Sequence, residues 1–189
     1  ITLAHSKSNH ISDSSYDENK RWPDGLSPFG FKVVKEMNKQ GVMIDISHVS
    51  DAAFMKVLEL SDAPVVATHS SLRHFTPGWE RNVSDEMLIA LAENGGVIQL
   101  CFGSDFVANR KDNPDIQVSV KNVVDHIDRV RDLVGIDHVG FGSDFDGEVP
   151  LPEDINDVSK FPNLIEELLM RGYTESEIDK ILNGNILSV

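Results

Sequence analysis

Residues 41–50, GVMIDISHVS, constrain the fold more than any other stretch. Val42, Met43, Ile44 and Ile46 form an apolar run too short for a helix and β-branched enough for a buried strand. Parallel strands show such near-continuous runs, because helices cover both faces of their sheet. The run ends at His48, and Ser50 then supplies the N-cap of a helix beginning at Asp51. The figure recurs where Val65-Val66-Ala67-Thr68 runs into His69-Ser70-Ser71. In a parallel α/β fold ligands bind at the C-terminal ends of strands, so two strand-end histidines point to a metal.

Taken in order, the chain alternates. Residues 1–4 read as a strand ending at His5, followed by a polar stretch, 6–25, long enough to be either functional or mobile. Ser27-Pro28 opens a helix, Phe29, Val33, Val34 and Met37 give it an apolar face, and Gly41 stops it. A helix over about 51–60 precedes the strand to His69, and a second long loop, 70–83, holds Arg73, His74, Trp79, Glu80 and Arg81. Ser84 caps a helix that Gly95-Gly96 ends, residues 97–101 form a strand, and a helix covers about 118–134. His138-Val139-Gly140-Phe141 is the last strand, and two helices close the chain, the second begun by the capping box Thr174-x-x-Glu177. This β/α alternation predicts a parallel sheet in a single domain spanning 1–189.

His5, His48, His69 and Asp144 terminate four different strands. A doubly wound sheet concentrates its site at one crevice, whereas a barrel gathers residues from every strand end, so the spread favours a barrel. Five strands do not close a barrel of eight, which usually needs ~250 residues. The chain is therefore expected to cover roughly the last five units of a (β/α)8 barrel, about three units on the N-terminal side being absent.

Composition narrows the partners. A net charge of −14 from 17 basic and 31 acidic residues, with no basic cluster, argues against nucleic acid and anionic membranes. The lone Cys101 excludes an internal disulfide and reads as a small core residue. No apolar run reaches transmembrane length. The chain opens inside a strand without an initiator Met, so a leader is not legible; a cytoplasmic location is the expectation for a bacterial source.

The polar candidates each have a plain reading beside a chemical one. His48 and His69, in matching strand–His–Ser contexts, suit zinc as neutral imidazoles but leave it short of ligands. Asp45 alternates with Ile44 and Ile46 and reads as structural, or as a support to the ligands. Asp144 and Asp146 flank Phe145 between Gly142 and Gly147, a pattern that serves a turn or a loop approaching a ligand. Arg81 follows Glu80, as a solvated ion pair or as a clamp for a substrate carboxylate. His10, His74, His126 and His138 read as structural.

These residues resemble the renal (membrane) dipeptidase family. The resemblance runs through Leu3-Ala4-His5-Ser6, Gly25-Leu26-Ser27-Pro28-Phe29-Gly30, Ile44-Asp45-Ile46-Ser47-His48 and Thr68-His69-Ser70-Ser71. It continues through Arg81-Asn82-Val83, Gly140-Phe141-Gly142-Ser143-Asp144-Phe145-Asp146-Gly147, residues 157–162 and Gly184-Asn185, in order over nearly the whole chain. The resemblance implies a (β/α)8 metallohydrolase with two zinc ions, bridged by a glutamate and a water, that hydrolyses dipeptides, including those with a C-terminal D-residue. It implies that His48 and His69 ligate the second zinc, that His5 stabilises the oxyanion, that Arg81 holds the substrate carboxylate, and that Asp144 handles the proton of the attacking water. A homodimer is implied in the same way.

Two departures stand out. The His-x-Asp pair of the family's first strand and the bridging glutamate of its third have no counterpart in these residues, so the chain by itself is expected to bind zinc weakly and not to turn over. The expected partner is the missing N-terminal part of the same barrel. The strand ending at Cys101-Phe102 also lacks a tyrosine that some relatives use, and Ser188 stands where the family usually has Arg. A different binuclear amidohydrolase and an inactive scaffold barrel compete with the dipeptidase reading; Arg81 argues against the first, and the first-strand ligands decide the second. Asn82-Val83-Ser84 is formally a glycosylation sequon, discounted because it adjoins Arg81.

Overall fold

The computed structural model describes residues 1–147 and 149–189. Val66–Ser70 (β1), Val97–Leu100 (β2) and Val139–Phe141 (β3) form a parallel sheet in the order β1-β2-β3. The two N-terminal strands of the sequence pattern are extended but keep only bridge pairing: Thr2 pairs with Asp45 and Asp45 with Val66, both parallel. The backbone N–H of Asp45 donates to Ile1 O at 3.1 Å, and that of Ile46 to Val66 O at 2.8 Å. Further ladder is pre-empted by Asp45 itself, whose Oδ1 accepts from the N–H of Ser47 at 2.9 Å and of Thr68 at 3.1 Å.

Five parallel segments thus lie side by side in sequence order, with no reversal of the kind a doubly wound sheet needs. Right-handed crossovers that always step the same way put their helices on one face, which is the layout of a barrel arc.

Helix α1 (Pro28–Gln40) starts where Ser27 Oγ accepts from Gly30 N–H, and it buries Val34 and Met37. Helix α2 (Asp51–Leu60) is capped by Ser50 and α3 (Asp85–Glu93) by Ser84. A short helix, α4 (Ser104–Val107), follows β2 in what the sequence pattern leaves as loop. Helix α5 (Val120–Val134) begins two residues later than Val118, because Ser119 and Asn122 form a capping box and Asp154 accepts from Val120 N–H at 3.0 Å. Helices α6 (Phe161–Met170) and α7 (Glu175–Asp179) follow, α7 behind the Thr174–Glu177 capping box. Beyond the two helices that the sequence pattern expects, a π-helical segment, Lys180–Gly184, and a short helix, α8 (Asn185–Leu187), continue the chain. The core lies between sheet and helices, where Val65, Ala67, Ile98, Leu100 and Val139 meet Leu88, Leu91, Val123, Val124, Ile127 and Val130, all buried.

The polar stretch 6–25 is an ordered cover rather than a loose loop. Buried Asp13 accepts from the N–H groups of Arg21 and Trp22, each at 2.9 Å. Ser15 N–H donates to His48 O at 2.8 Å, and Ser50 N–H to Asp13 O at 2.9 Å. Lys20 Nζ reaches Glu80 at 2.7 Å, and Glu80 also accepts from Asp51 N–H at 3.0 Å. Among the described residues no helix is long and apolar enough to cross a membrane.

Candidate active site

The strand ends set the site. After Ile46 the chain leaves the sheet and turns at once into α2, and His48 takes up the turn with φ +69°. Asp144, after β3, has φ +59°. These are the two non-glycine residues with left-handed backbone among those described, and both face one cavity. Strained backbone of this kind persists where the surroundings over-determine it, and it gathers at functional sites.

The cavity, about 370 Å3, is lined by His5, Tyr16, His48, His69, Phe106 and Asp144, with Ser6, Gly147 and Val149. His48 is central: its ring centroid lies 4.1 Å from that of His5, 4.8 Å from His69 and 5.9 Å from Tyr16. The Nε2 atoms of His48 and His69 approach to 2.7 Å. Burial drives the pKa of His48 down to about 2, with Arg81, His69 and His5 adding to the effect. Burial and Arg81 likewise lower that of His69, so both rings are neutral near pH 7. Nδ1 of His48 is buried without a partner among the described residues. Two neutral imidazoles with converging Nε2 atoms are a donor pair that fits zinc, and they supply half of a tetrahedral ligand set. Among the described residues no cluster of three or more His, Cys, Asp or Glu side chains has metal-binding geometry.

Arg81 lies behind the cavity wall, almost fully buried. Its Nη1 donates to Ser70 Oγ at 2.7 Å and its Nη2 to His69 O at 2.5 Å, while Cζ stands 5.2 Å from the centroid of the Phe106 ring. The ion pair with Glu80 does not form, since Glu80 is engaged by Lys20 and Asp51. Among the described residues no carboxylate pairs with Arg81, and its Nε is without a partner. Burial works against its charge, Asp144 and Asp45 favour it from a distance, and an anionic ligand in direct contact would offset the cost of burial.

Asp144 is shaped by close packing. A Cβ at Gly142 would stand 1.9 Å from Thr68 O, so glycine is required there, and one at Gly147 would stand 2.6 Å from Asp144 Oδ1 and push that carboxylate aside. Cys101 Sγ lies 3.8 Å from Asp144 Oδ2, and burial pushes that thiol up to about 12, which leaves it protonated. His5 Nδ1 is paired with Ser6 Oγ at 2.7 Å.

All four strand-end residues singled out in the sequence meet at this cavity, and Arg81 backs it. Tyr16 and Phe106 carry no strand-end signal and were not singled out; Tyr16 comes from the cover and Phe106 from α4. The other histidines are structural: His126 and His138 bond backbone groups, His10 stacks on Phe29, and His74 meets Phe75 edge-on. Asn82 is buried, its amide donating to Thr76 Oγ1 and Phe106 O, so the formal sequon offers no free acceptor in the folded chain.

Fold and site define a class: β/α-barrel arcs whose strand ends bring imidazoles and a carboxylate to one cavity. The chain belongs to the membrane dipeptidase family (Peptidase family M19), whose model matches residues 1–189. It is 40% identical over 189 residues to the dipeptidase tcpJ of Claviceps purpurea (strain 20.1). The crystal structure of the probable dipeptidase PvdM from Pseudomonas aeruginosa superposes with TM-score 0.88 over 99% of the chain at 28% identity. A metallo peptidase from Rhodobacter sphaeroides, liganded with a phosphinate mimic of the dipeptide L-Ala-D-Ala, gives 0.88 over 99% at 33% identity. The chain spans 43% of the length of tcpJ, and 60% and 53% of those two structures.

Proposed function

We propose that the protein hydrolyses the peptide bond of dipeptides by a zinc-dependent mechanism, with His48 and His69 as ligands of one ion. The observation that carries the reading is the buried guanidinium of Arg81, directly behind the paired imidazoles and without an ion-pair partner among the described residues. A hydrolase that acts on free dipeptides needs a fixed cation at one peptide length from the scissile carbonyl, and a bidentate arginine suits a carboxylate. Bound zinc supplies Lewis acidity and lowers the pKa of water. The remaining ligands, among them a bridging glutamate, would come from residues beyond these 189, consistent with the share of its relatives that the chain spans.

In this reading the chain's own groups divide the work. Arg81 holds the C-terminal carboxylate and fixes the register of the substrate. His5, beside His48 on the cavity wall, donates a hydrogen bond to the oxygen that turns anionic as the carbonyl becomes tetrahedral. Asp144 accepts the proton of the attacking water and delivers it to the leaving amine. The phosphinate mimic in the Rhodobacter sphaeroides relative supports tolerance of a D-residue at the C-terminal position.

The test compares a free dipeptide with its C-terminal amide. Arg81→Met is expected to lower kcat/KM for L-Ala-D-Ala by roughly 100-fold, about 3 kcal/mol, and to leave the amide substrate unchanged. An equal loss on both substrates would remove Arg81 from carboxylate binding. Absence of turnover in zinc-loaded full-length protein would favour the scaffold reading.

A further inference from the structure

The two imidazoles at the cavity are held by unequal surroundings. His69 Nδ1 lies 2.8 Å from Thr68 Oγ1, which lies 2.8 Å from Asp45 Oδ2. That oxygen also accepts from Thr2 Oγ1 at 2.6 Å, while Oδ1 takes the N–H groups of Ser47 and Thr68. Burial alone would raise the pKa of Asp45, but these hydrogen bonds outweigh it and hold the carboxyl below its ordinary value. An ionised carboxylate only accepts, so Thr68 must give it its single hydroxyl proton. Thr68 Oγ1 is then left to accept, and the proton it accepts can come only from His69 Nδ1.

We infer that Asp45 and Thr68 are positioning residues, a carboxylate–hydroxyl relay that fixes His69 in its Nδ1–H tautomer and turns its Nε2 lone pair toward His48. The inference about the tautomer stands on this network; its consequence for zinc rests on the ligand reading above. Ligating histidines commonly donate their other ring N–H to a carboxylate or carbonyl, which orients the ring and raises its basicity. Here a threonine hydroxyl is interposed between ring and carboxylate. Among the described residues His48 has no such support, its Nδ1 being buried without a partner. With the His69 lone pair facing it at 2.7 Å, His48 carries its own proton on Nε2 and donates it across the gap. His69 is therefore the preorganised member of the pair, and His48 must move its proton before it can ligate.

The experiment reads imidazole tautomers in metal-free, 15N-labelled full-length protein by long-range proton–nitrogen NMR, then titrates zinc against a chromophoric chelator. His69 should show a pyrrole-type Nδ1 and a pyridine-type Nε2, and His48 the reverse. Thr68→Val, which keeps the shape and removes the hydroxyl, should mix the His69 tautomers and weaken zinc binding by roughly 10- to 100-fold. Thr68→Ser should restore both. A wild-type His69 protonated on Nε2 overturns the relay even if the valine variant fails to fold. So does a folded valine variant with unchanged tautomer and affinity. The expected tautomers in a protein that binds no zinc would uphold the relay and overturn the ligand reading instead.

Discussion

His126 shows what a histidine does in this fold when it performs no chemistry. Leu72 N–H donates to its Nδ1 at 3.0 Å, so the ring's proton sits on Nε2 and is given to Val107 O at 3.2 Å. Fully buried, the ring has its pKa lowered from 6.5 to about 4, chiefly by desolvation. Below pH 6.5 the unfolded chain binds a proton that the folded chain refuses, so stability is full above 6.5 and falls as the pH drops toward 4. The gap amounts to about 3 kcal/mol. Urea unfolding of wild type and His126→Asn between pH 7.5 and 4 should show their difference shrinking over that window; a constant difference would mean that the ring is not kept neutral. Residue by residue, the chemistry was legible where it sat on a pattern. His5, His48, His69 and Asp144 end strands, and Asp45 was conspicuous as a charge within an apolar run. Tyr16, Phe106 and the hydroxyl of Thr68 were not, because their roles come from neighbours far along the chain. Arg81 was seen, but its surroundings were not: the neighbouring Glu80 suggested a surface pair, and tertiary packing took Glu80 elsewhere.

Among the elements, α2 matters most to the site because it starts three residues after His48. Ser50 Oγ accepts from Ala53 N–H at 3.2 Å, and Ser50 N–H anchors the cover through Asp13 O. Ser50→Ala should cost about 1 kcal/mol in urea unfolding, the usual worth of an N-cap, since the backbone anchor survives the change. A loss of several kcal/mol would show that the hydroxyl supports more than the helix. Helices were read well because caps and apolar spacing are local: Ser27-Pro28, Ser50, Ser84 and the Thr174–Glu177 box all stand where the helices begin. Strands were read in position but not in extent. Whether a segment completes a ladder depends on its neighbour's donors, and Asp45 had already claimed two of them.

For the whole molecule, the barrel reading rested on counting strand ends, and the sequential order of the five segments agrees with it. The charge of −14 bears on stability as well as partners, since self-repulsion opposes the compact state. Raising sodium chloride from about 0.02 to about 0.2 M, which shortens the screening length to roughly 10 Å or less, should raise Tm by a few degrees. A fall would mean that attractive pairs such as Arg73–Asp51 and Arg171–Asp128 outweigh the repulsion.

The cover also carries a timetable. Its own residues lie between 6 and 25, but its fastenings are His48 O, Ser50 N–H and the Glu80 carboxylate. On a ribosome that releases the chain from its N-terminus, this segment emerges well before anything it can be tied to. The roof over the cavity is thus synthesised before its floor, and its last tie, to Glu80, forms only once residue 80 has emerged.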